Sequence, residues 1–144
     1  MNTPLTKEEQ EKLLDAAQQA RENSYSPYSK FKVGAAVLTA DGSIFTGTNI
    51  ENASYGLTVC AERNAIFAAV GAGKRKVRAL ALITQKLPGL DFNSPCGACR
   101  QVMSEFIAPD APVYIAVLDG PKRTVYAKQL QELMPFPFDK FSEK

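Results

Sequence analysis

The sequence feature that most constrains the fold is a pair of largely apolar runs at residues 77–84 and 113–118. Strands that are apolar without alternation are buried on both faces, as in sheets that helices cover on both sides. A helical pattern precedes each run, at about residues 58–70 and 96–107. This succession of helix, strand, helix and strand predicts an α/β fold with a mostly buried sheet.

The remaining segments add an N-terminal helix and a hairpin. A capping-box pattern at Thr6 predicts the start of the helix, and the Asp41-Gly42 dipeptide predicts the turn of the hairpin. Because the chain shows neither a repeat nor a domain boundary, we expect one domain over residues 1–144. The predicted elements are a helix from residue 6 to about 23, strands at 31–40, 43–50 and 124–126, and a last helix that ends at 134–135.

Charge and hydropathy exclude several functional classes. The formal net charge of +2 is too small for a dedicated nucleic-acid-binding protein, and the basic cluster at 74–78 is explained by the end of the preceding helix. No apolar run is long enough to span a bilayer, and the first residues lack the pattern of a signal peptide. We therefore expect a soluble cytoplasmic protein that binds neither nucleic acid nor membranes.

Cysteine and histidine usage restricts the chemistry further. The chain has three Cys and no His, so serine-protease and Cys-His mechanisms are excluded because both need an imidazole. A disulfide framework does not suit a chain of 144 residues without an export signal. Any zinc site must therefore be built from thiolates or carboxylates.

Two segments, TVCAER (58–63) and SPCGACRQ (94–101), place cysteines at predicted helix starts. Unpaired backbone N–H groups and the positive end of the helix dipole stabilise thiolates there. Cys96 and Cys99 can bind one ion through both sulfurs. A third sulfur, from Cys60, would leave zinc one open position for a water molecule, which is the mark of a catalytic site.

The residues that follow Cys60 suit such a site. Glu62 is placed to act as general base toward the water, provided that the metal lies off the end of the helix. Arg63 is the nearby cation that can offset the negative charge of three thiolates.

Each signal also has a simpler interpretation. The Cys96/Cys99 pair alone fits a redox motif or a closed structural zinc site, although a closed site would need a carboxylate or a subunit partner as fourth ligand. Glu62 alone fits an acidic residue that complements a helix N-terminus, and Phe31 alone fits a core residue. These interpretations do not explain why the residues occur together.

The same residues match the zinc-deaminase pattern in which Cys-x-Glu is followed by Pro-Cys-x-x-Cys. The segments YSKFKVGAA (28–36), NIENASYG (49–56) and LMPFPF (133–138) extend the match over nearly the whole chain. The sequence therefore resembles the small homotetrameric zinc-dependent cytidine deaminases. This resemblance implies a three-layer α/β/α domain with a central mixed five-stranded sheet, and a homotetramer with sites at subunit interfaces.

The resemblance also implies a role for each site residue. Zn²⁺ is the implied cofactor, with Cys60, Cys96 and Cys99 as ligands, Glu62 as proton shuttle and Arg63 as the cation that partly neutralises the thiolates. The implied substrate contacts are Phe31 beside the base, Asn49 and Glu51 on the ribose 3′-hydroxyl, and Ala61, Tyr55 and Phe138. Tyr55 and Phe138 would act across a subunit interface, and Phe136 and Phe141 compete for the role of Phe138.

The expected reaction is the hydrolysis of free cytidine and deoxycytidine to their uridine counterparts with release of ammonia, a step of pyrimidine salvage. One alternative is a deaminase of another aminopyrimidine nucleoside. A second is an RNA- or DNA-editing deaminase, which would need a basic, aromatic-lined channel. A third is a noncatalytic structural-zinc module. Whatever the function, the aromatic tail at 136–141 is expected to be buried against another surface.

Overall fold

The computed structural model describes residues 4–141. Its helices are α1 (Lys7–Arg21), α2 (Ala61–Gly71), α3 (Gly97–Phe106) and α4 (Leu130–Leu133), with a short 3₁₀ turn at Tyr55–Leu57. Its strands are β1 (Gly34–Thr39), β2 (Ile44–Thr48), β3 (Val77–Gln85), β4 (Pro112–Asp119) and β5 (Lys122–Gln129). Helix α1 begins as predicted, because Thr6 and Glu9 form the reciprocal hydrogen bonds of a capping box.

The strands form one mixed sheet in the order β2-β1-β3-β4-β5. Neighbouring strands are antiparallel except β3 and β4, which are parallel. A parallel pair needs a crossover connection, and α3 supplies it between these two strands. The predicted mixed five-stranded sheet is therefore confirmed.

Helices cover both faces of this sheet and create two apolar layers. On one face, Leu13, Leu14 and Ala17 of α1 pack against alternate residues of β1, β3 and β4. On the other face, Ile66 of α2 and Met103 of α3 pack against the intervening residues of the same strands. Both faces of the central strands are buried, which explains why their sequences are largely apolar without alternation and confirms the three-layer arrangement.

Three element boundaries differ from the prediction. Helix α2 begins at Ala61 and not near residue 58, because Val59 is extended and pairs with Ile50. Strand β1 begins at Gly34 and not at residue 31. Strand β5 is eight residues long where the sequence predicted 124–126, because its exposed polar positions weaken the apolar pattern by which a strand is recognised.

The position of α2 depends on a close backbone approach at Gly47 in β2. A Cβ atom at this position would lie 2.4 Å from the Ala65 nitrogen and 2.6 Å from the Ala61 oxygen. The side-chain amide of Asn64 also donates a hydrogen bond of 2.8 Å to the Thr48 carbonyl. These contacts hold the first turns of α2 against the end of β2.

One edge of the sheet gathers the segments that carry the predicted chemistry. Gly34 at the start of β1 pairs with Thr48 at the end of β2 and with Ile83 near the end of β3. Helices α2 and α3 both begin beyond this edge, since each follows a strand that ends there. The residues after β2, after β3 and at the two helix starts therefore lie close together.

The aromatic tail is not covered by its own chain, and its burial against another surface stays a prediction. Within the single chain Phe136 is 100% exposed, Phe141 is 95% exposed and Phe138 is 63% exposed, so the tail is not buried. The rings of Phe138 and Phe141 contact each other instead, with centroids 5.2 Å apart. In residues 4–141, no helix combines the length and the apolar character that crossing a membrane requires.

Candidate active site

The three cysteines, which are distant in sequence, converge at the edge of the sheet. The Sγ atoms of Cys60 and Cys96 are 3.8 Å apart, and those of Cys96 and Cys99 are 3.4 Å apart. All three sulfurs lie within 4.8 Å of one another, and no carboxylate of residues 4–141 joins this group of potential ligand atoms. The arrangement therefore provides three thiol ligands and no fourth ligand from the described part of the chain.

Two of the three cysteines lie at helix starts. Cys60 is the N-cap residue of α2 and Cys96 is the N-cap residue of α3. The Cys96 sulfur accepts a hydrogen bond of 3.4 Å from the Cys99 backbone N–H. Two helix N-termini thus direct their positive ends at one point, where they stabilise negative charge on sulfur.

The electrostatics of the thiols fit a divalent cation. Hydrogen bonding from Cys99, reinforced by hydrogen bonding and positive charge from Arg63, lowers the pKa of Cys60 to about 5. The hydrogen bond that Cys99 donates to Cys60, together with burial, raises the pKa of Cys99. The pKa values of Cys60 and Cys99 thus shift in opposite directions when no metal is bound. A bound zinc ion would stabilise all three sulfurs as thiolates. Three soft, closely spaced sulfur donors therefore suit Zn²⁺.

Arg63 lies beside the thiols, as predicted. Its Nη2 atom is 3.5 Å from the Cys60 sulfur, and its hydrogen bond to that sulfur raises the pKa of the guanidinium. Its Nε atom is buried and has no hydrogen-bond partner among residues 4–141. Arg63 is thus held next to the sulfurs with its charge directed at them.

Glu62 is a buried carboxyl in the first turn of α2. Its exposed fraction is only 4%, and no ion pair holds it among the described residues. Burial, with the negative charge of Cys60 as a smaller contribution, raises the pKa of Glu62 to about 7. A carboxyl with a pKa near neutrality can both accept and release a proton at physiological pH.

A cavity of about 260 Å³ lies against this group. Most of its exposed lining is apolar, and its volume suits one small molecule. Seven of the predicted site residues line it, from the sheet edge to the helix starts: Phe31, Asn49, Glu51, Cys60, Ala61, Glu62 and Cys96.

Asn49 and Glu51 make internal contacts that the sequence did not indicate. Asn49 Oδ1 accepts hydrogen bonds from the Ser24 hydroxyl and the Val33 amide, and Asn49 Nδ2 donates to the Phe31 carbonyl at 2.8 Å. Asn49 thereby holds residues 31–33, which include Phe31, at the wall of the cavity.

The Glu51 carboxylate caps the turn that precedes Phe31. It accepts hydrogen bonds from the Tyr28 amide at 3.0 Å, from the Ser29 amide at 3.1 Å and from the Ser29 hydroxyl. The Ser29 hydroxyl contact is the main reason that the pKa of Glu51 is lowered, so this carboxyl is ionised at neutral pH.

Two predicted substrate contacts lie outside this cavity. Tyr55 lines an adjoining depression that also includes Glu51, and its ring is in edge contact with Tyr28 at 6.0 Å. Phe138 lies on the exposed tail and lines neither space, although its carbonyl accepts a hydrogen bond of 2.6 Å from Gln101. A role for either residue at the site of its own chain is not supported.

Among the polar residues of the cavity wall that the sequence interpretation did not assign to the site, Thr84 and Asn93 lie outside every motif that it quoted. Thr84 near the end of β3 is buried, and its hydroxyl accepts a hydrogen bond of 3.1 Å from Asn93. Both residues line the cavity together with Glu62. The available signal was a polar residue at the end of an otherwise apolar strand, at the edge where ligands of α/β sheets bind.

Known proteins that are similar in sequence include zinc-binding deaminases. Residues 7–115 match the family model described as the cytidine and deoxycytidylate deaminase zinc-binding region. A cytidine deaminase of Halalkalibacterium halodurans is 48% identical over 126 residues, which cover 88% of this chain and 91% of that protein. A cytidine deaminase of Sporosarcina psychrophila is 48% identical over 131 residues, covering 90% and 91%.

Solved structures agree in fold. The crystal structure of cytidine deaminase from Burkholderia pseudomallei has a TM-score of 0.82 at 43% identity, and the match covers 93% of this chain and 100% of that one. Cytidine deaminase from Mycobacterium tuberculosis has a TM-score of 0.72 at 35% identity, with coverage of 91% and 98%.

The fold and the three-thiol site define a zinc-dependent deaminase. The chain belongs to the cytidine and deoxycytidylate deaminase family. The resemblance inferred from the sequence, the predicted fold class and the predicted zinc cofactor are therefore confirmed. The role of each individual site residue remains a prediction.

Replacing one thiol tests the ligand set. We expect Cys96→Ala to lower zinc affinity by more than the roughly 10- to 100-fold that is typical of losing an outer-sphere partner, because a direct ligand is lost. The free energy of unfolding should also fall, since metal binding adds to folding stability. Zinc content after dialysis against a chelator is the measurement, with Ser104→Ala at the other end of α3 as control. Full zinc content in Cys96→Ala would contradict the assignment.

Proposed function

We propose that this protein hydrolyses free cytidine and deoxycytidine to uridine and deoxyuridine with release of ammonia. The observation that carries the proposal is the buried carboxyl of Glu62, which lines one small cavity together with the sulfurs of Cys60 and Cys96. The relatives that are 48% identical over most of the chain bear the name cytidine deaminase, which supports the same substrate class.

In this proposal Glu62 moves the protons of the reaction. Zinc, when bound by Cys60, Cys96 and Cys99, would lower the pKa of a water molecule and so supply the nucleophile. Glu62 accepts a proton from the water whose oxygen bonds to C4 of cytosine, and passes it to N3. Glu62 next accepts the remaining proton of the hydroxyl group on C4 and passes it to the amino nitrogen; the C4–N bond breaks, the C4=O bond forms and ammonia leaves. The pKa of Glu62, about 7, suits both directions of transfer.

The polarity of the cavity favours a nucleoside over a nucleotide. The carboxylate of Glu51 is ionised and faces the cavity, so it would repel a phosphate group. A cavity of about 260 Å³ suits one small molecule. These features argue against an enzyme that edits nucleic acids.

Three free thiols in close contact support the predicted cytoplasmic location. Cys96 and Cys99 have sulfurs 3.4 Å apart and no disulfide joins them. An oxidising compartment would favour a disulfide between such thiols and so compete with zinc binding.

The role of Glu62 can be tested by an isosteric change. In Glu62→Gln we expect zinc to be retained and kcat for ammonia release from cytidine to fall by at least about 10²- to 10⁴-fold, because the amide cannot accept the proton. Metal content and ammonia release are measured on the same sample. Glu8→Gln, on the exposed first turn of α1, is the control. Normal turnover by Glu62→Gln would remove Glu62 from the mechanism.

Asn49 and Glu51 are proposed to hold the ribose. Both residues line the cavity just after the end of β2. Residues two positions apart in an extended chain point to the same side. This places a donor amide and an acceptor carboxylate next to each other, which suits a hydroxyl group that both donates and accepts.

The ribose contact can be separated from the structural role of Glu51 by changing the substrate. We expect Glu51→Gln to lower kcat/KM for deoxycytidine by about 10- to 100-fold, the usual worth of a hydrogen bond to a charged group. The same variant should lose little with 2′,3′-dideoxycytidine, which lacks the hydroxyl in question. Asp41→Asn, which alters a turn-capping carboxylate outside the cavity, serves as control and should affect both substrates alike. An equal loss of both substrates in Glu51→Gln would assign Glu51 a structural role only.

We also propose a homotetramer in which neighbouring chains complete each site. Tyr55 is 75% exposed and Phe138 is 63% exposed, and such large exposed apolar side chains are typical of interfaces. A partner surface would bury the tail that the single chain leaves open, and would bring aromatic rings to the mouth of a neighbouring cavity.

Shared sites predict complementation between inactive chains. Light scattering should give a mass of four chains of 15.7 kDa. We expect Phe138→Ala to lose activity, and expect part of it to return when this variant exchanges subunits with Glu62→Gln. Some hybrid sites then combine an intact Glu62 with an intact Phe138. A fully active monomer, or the absence of any recovery in mixed tetramers, would contradict the proposal.

A further inference from the structure

Arg100 makes an unusual set of contacts immediately after the Cys96/Cys99 pair. Its Nε atom donates to the Pro95 carbonyl at 2.7 Å, and its two terminal nitrogens donate to the Ser94 hydroxyl at 2.6 Å and to the Leu133 carbonyl at 2.5 Å. All three acceptors are uncharged. The guanidinium is therefore used as a rigid, planar set of donors and not as one half of an ion pair.

Two of these acceptors belong to the segment that delivers Cys96. Ser94 and Pro95 directly precede Cys96, and they lie in the loop between β3 and α3, where no strand or helix fixes the backbone. Pro95 is buried, so its carbonyl needs a hydrogen-bond partner that is not water. Arg100 provides that partner from the first turn of α3.

The third acceptor connects the same turn to the end of the chain. Leu133 is the last residue of α4, and its carbonyl is among those that a helix leaves unsatisfied. The neighbouring Gln101 donates to the Phe138 carbonyl in the tail. The first turn of α3 thus carries a cysteine on one side and anchors the C-terminal segment through its next two residues.

We propose that Arg100 is a positioning residue for the zinc site: it fixes the Ser94-Pro95 backbone so that the Cys96 sulfur stays close to those of Cys99 and Cys60. The inference rests on the proposed ligand set of three cysteines. Arg100 contacts none of the sulfurs through the hydrogen bonds described above, so it acts through the loop. Without it the loop loses the donors of two hydrogen bonds and Cys96 loses its fixed position at the N-cap of α3.

A purely structural arginine of similar connectivity exists elsewhere in the chain. Arg123 in β5 donates to Glu11 at 2.7 Å, to Asp15 at 3.0 Å and to Gln18 at 2.9 Å, all on α1. These contacts lie on the face of the sheet that α1 covers, opposite to α2 and α3. Arg123 therefore serves as the matched control for the loss of three hydrogen bonds.

The rate of zinc release measures the positioning role directly. The zinc-loaded variants Arg100→Gln, Arg100→Lys and Arg123→Gln are mixed with an excess of a chromogenic chelator well below their unfolding temperatures. We expect both Arg100 variants to release zinc about 10- to 100-fold faster than the unchanged protein, the usual effect of losing a group that orients a metal ligand. Arg123→Gln should unfold at a lower temperature and release zinc at the unchanged rate.

Chemical rescue separates geometry from general destabilisation. Guanidinium ion, added far below denaturing concentrations to a folded Arg100→Ala variant, should slow zinc release, whereas the same concentration of ammonium ion should not. If Arg100→Ala does not fold, Arg100→Lys replaces it in the release measurement. Zinc release at the unchanged rate from both Arg100→Gln and Arg100→Lys would overturn the inference. If the unchanged protein binds no zinc, the ligand set itself fails, which is a distinct result.

Discussion

The meeting of two helix N-termini at one edge of the sheet is the constraint on which the rest of the site depends. Cys60 and Cys96 occupy the N-cap positions of α2 and α3, where unpaired amides and the aligned helix dipoles favour negative sulfur. The sheet makes the meeting possible, because β2 and β3 both end at this edge and each is followed by one of the two helices. Close packing at Gly47 sets the distance between α2 and the sheet.

Charge and burial give the residues around the three sulfurs different electrostatic properties. Arg63 brings a positive charge to the sulfurs, which offsets the excess of three thiolates over a divalent ion. Glu62 lies one residue away and experiences the opposite environment, since burial disfavours its ionised form. Of these two neighbouring residues in one helical turn, Arg63 therefore carries a positive charge next to the sulfurs, whereas burial favours the uncharged form of Glu62. The cavity thus holds one carboxyl, Glu62, whose pKa is raised to about 7, and a second, Glu51, whose pKa is lowered, so the proposed roles in proton transfer and ribose binding fall on different groups.

The hydrogen bonds of the loops explain how a site built from irregular segments is held. Glu51 fixes the turn before Phe31, Asn49 fixes residues 31–33, and Arg100 fixes the loop before Cys96. Each uses a side chain to satisfy backbone groups that no helix or strand satisfies. Residues proposed to bind substrate at the end of β2 are therefore also part of the support of the cavity, which is why the expected effects of changing Glu51 have to be separated by choice of substrate.

The sequence alone determined the elements that depend on short-range patterns. The largely apolar strands, the capping box at Thr6 and the paired cysteine motifs are all short-range patterns, so the sheet, α1 and the cluster of three thiols were predictable. Tertiary structure decided what depends on contacts between distant segments. Pairing with β4 made β5 longer than its sequence pattern predicts, and the fold gave Asn49 and Glu51 their internal hydrogen bonds. The fold also placed Thr84 and Asn93 in the cavity wall and left the aromatic tail exposed on the single chain. The physical reason is that burial and hydrogen bonding belong to pairs of residues brought together by the fold, whereas periodicity and capping belong to the chain itself.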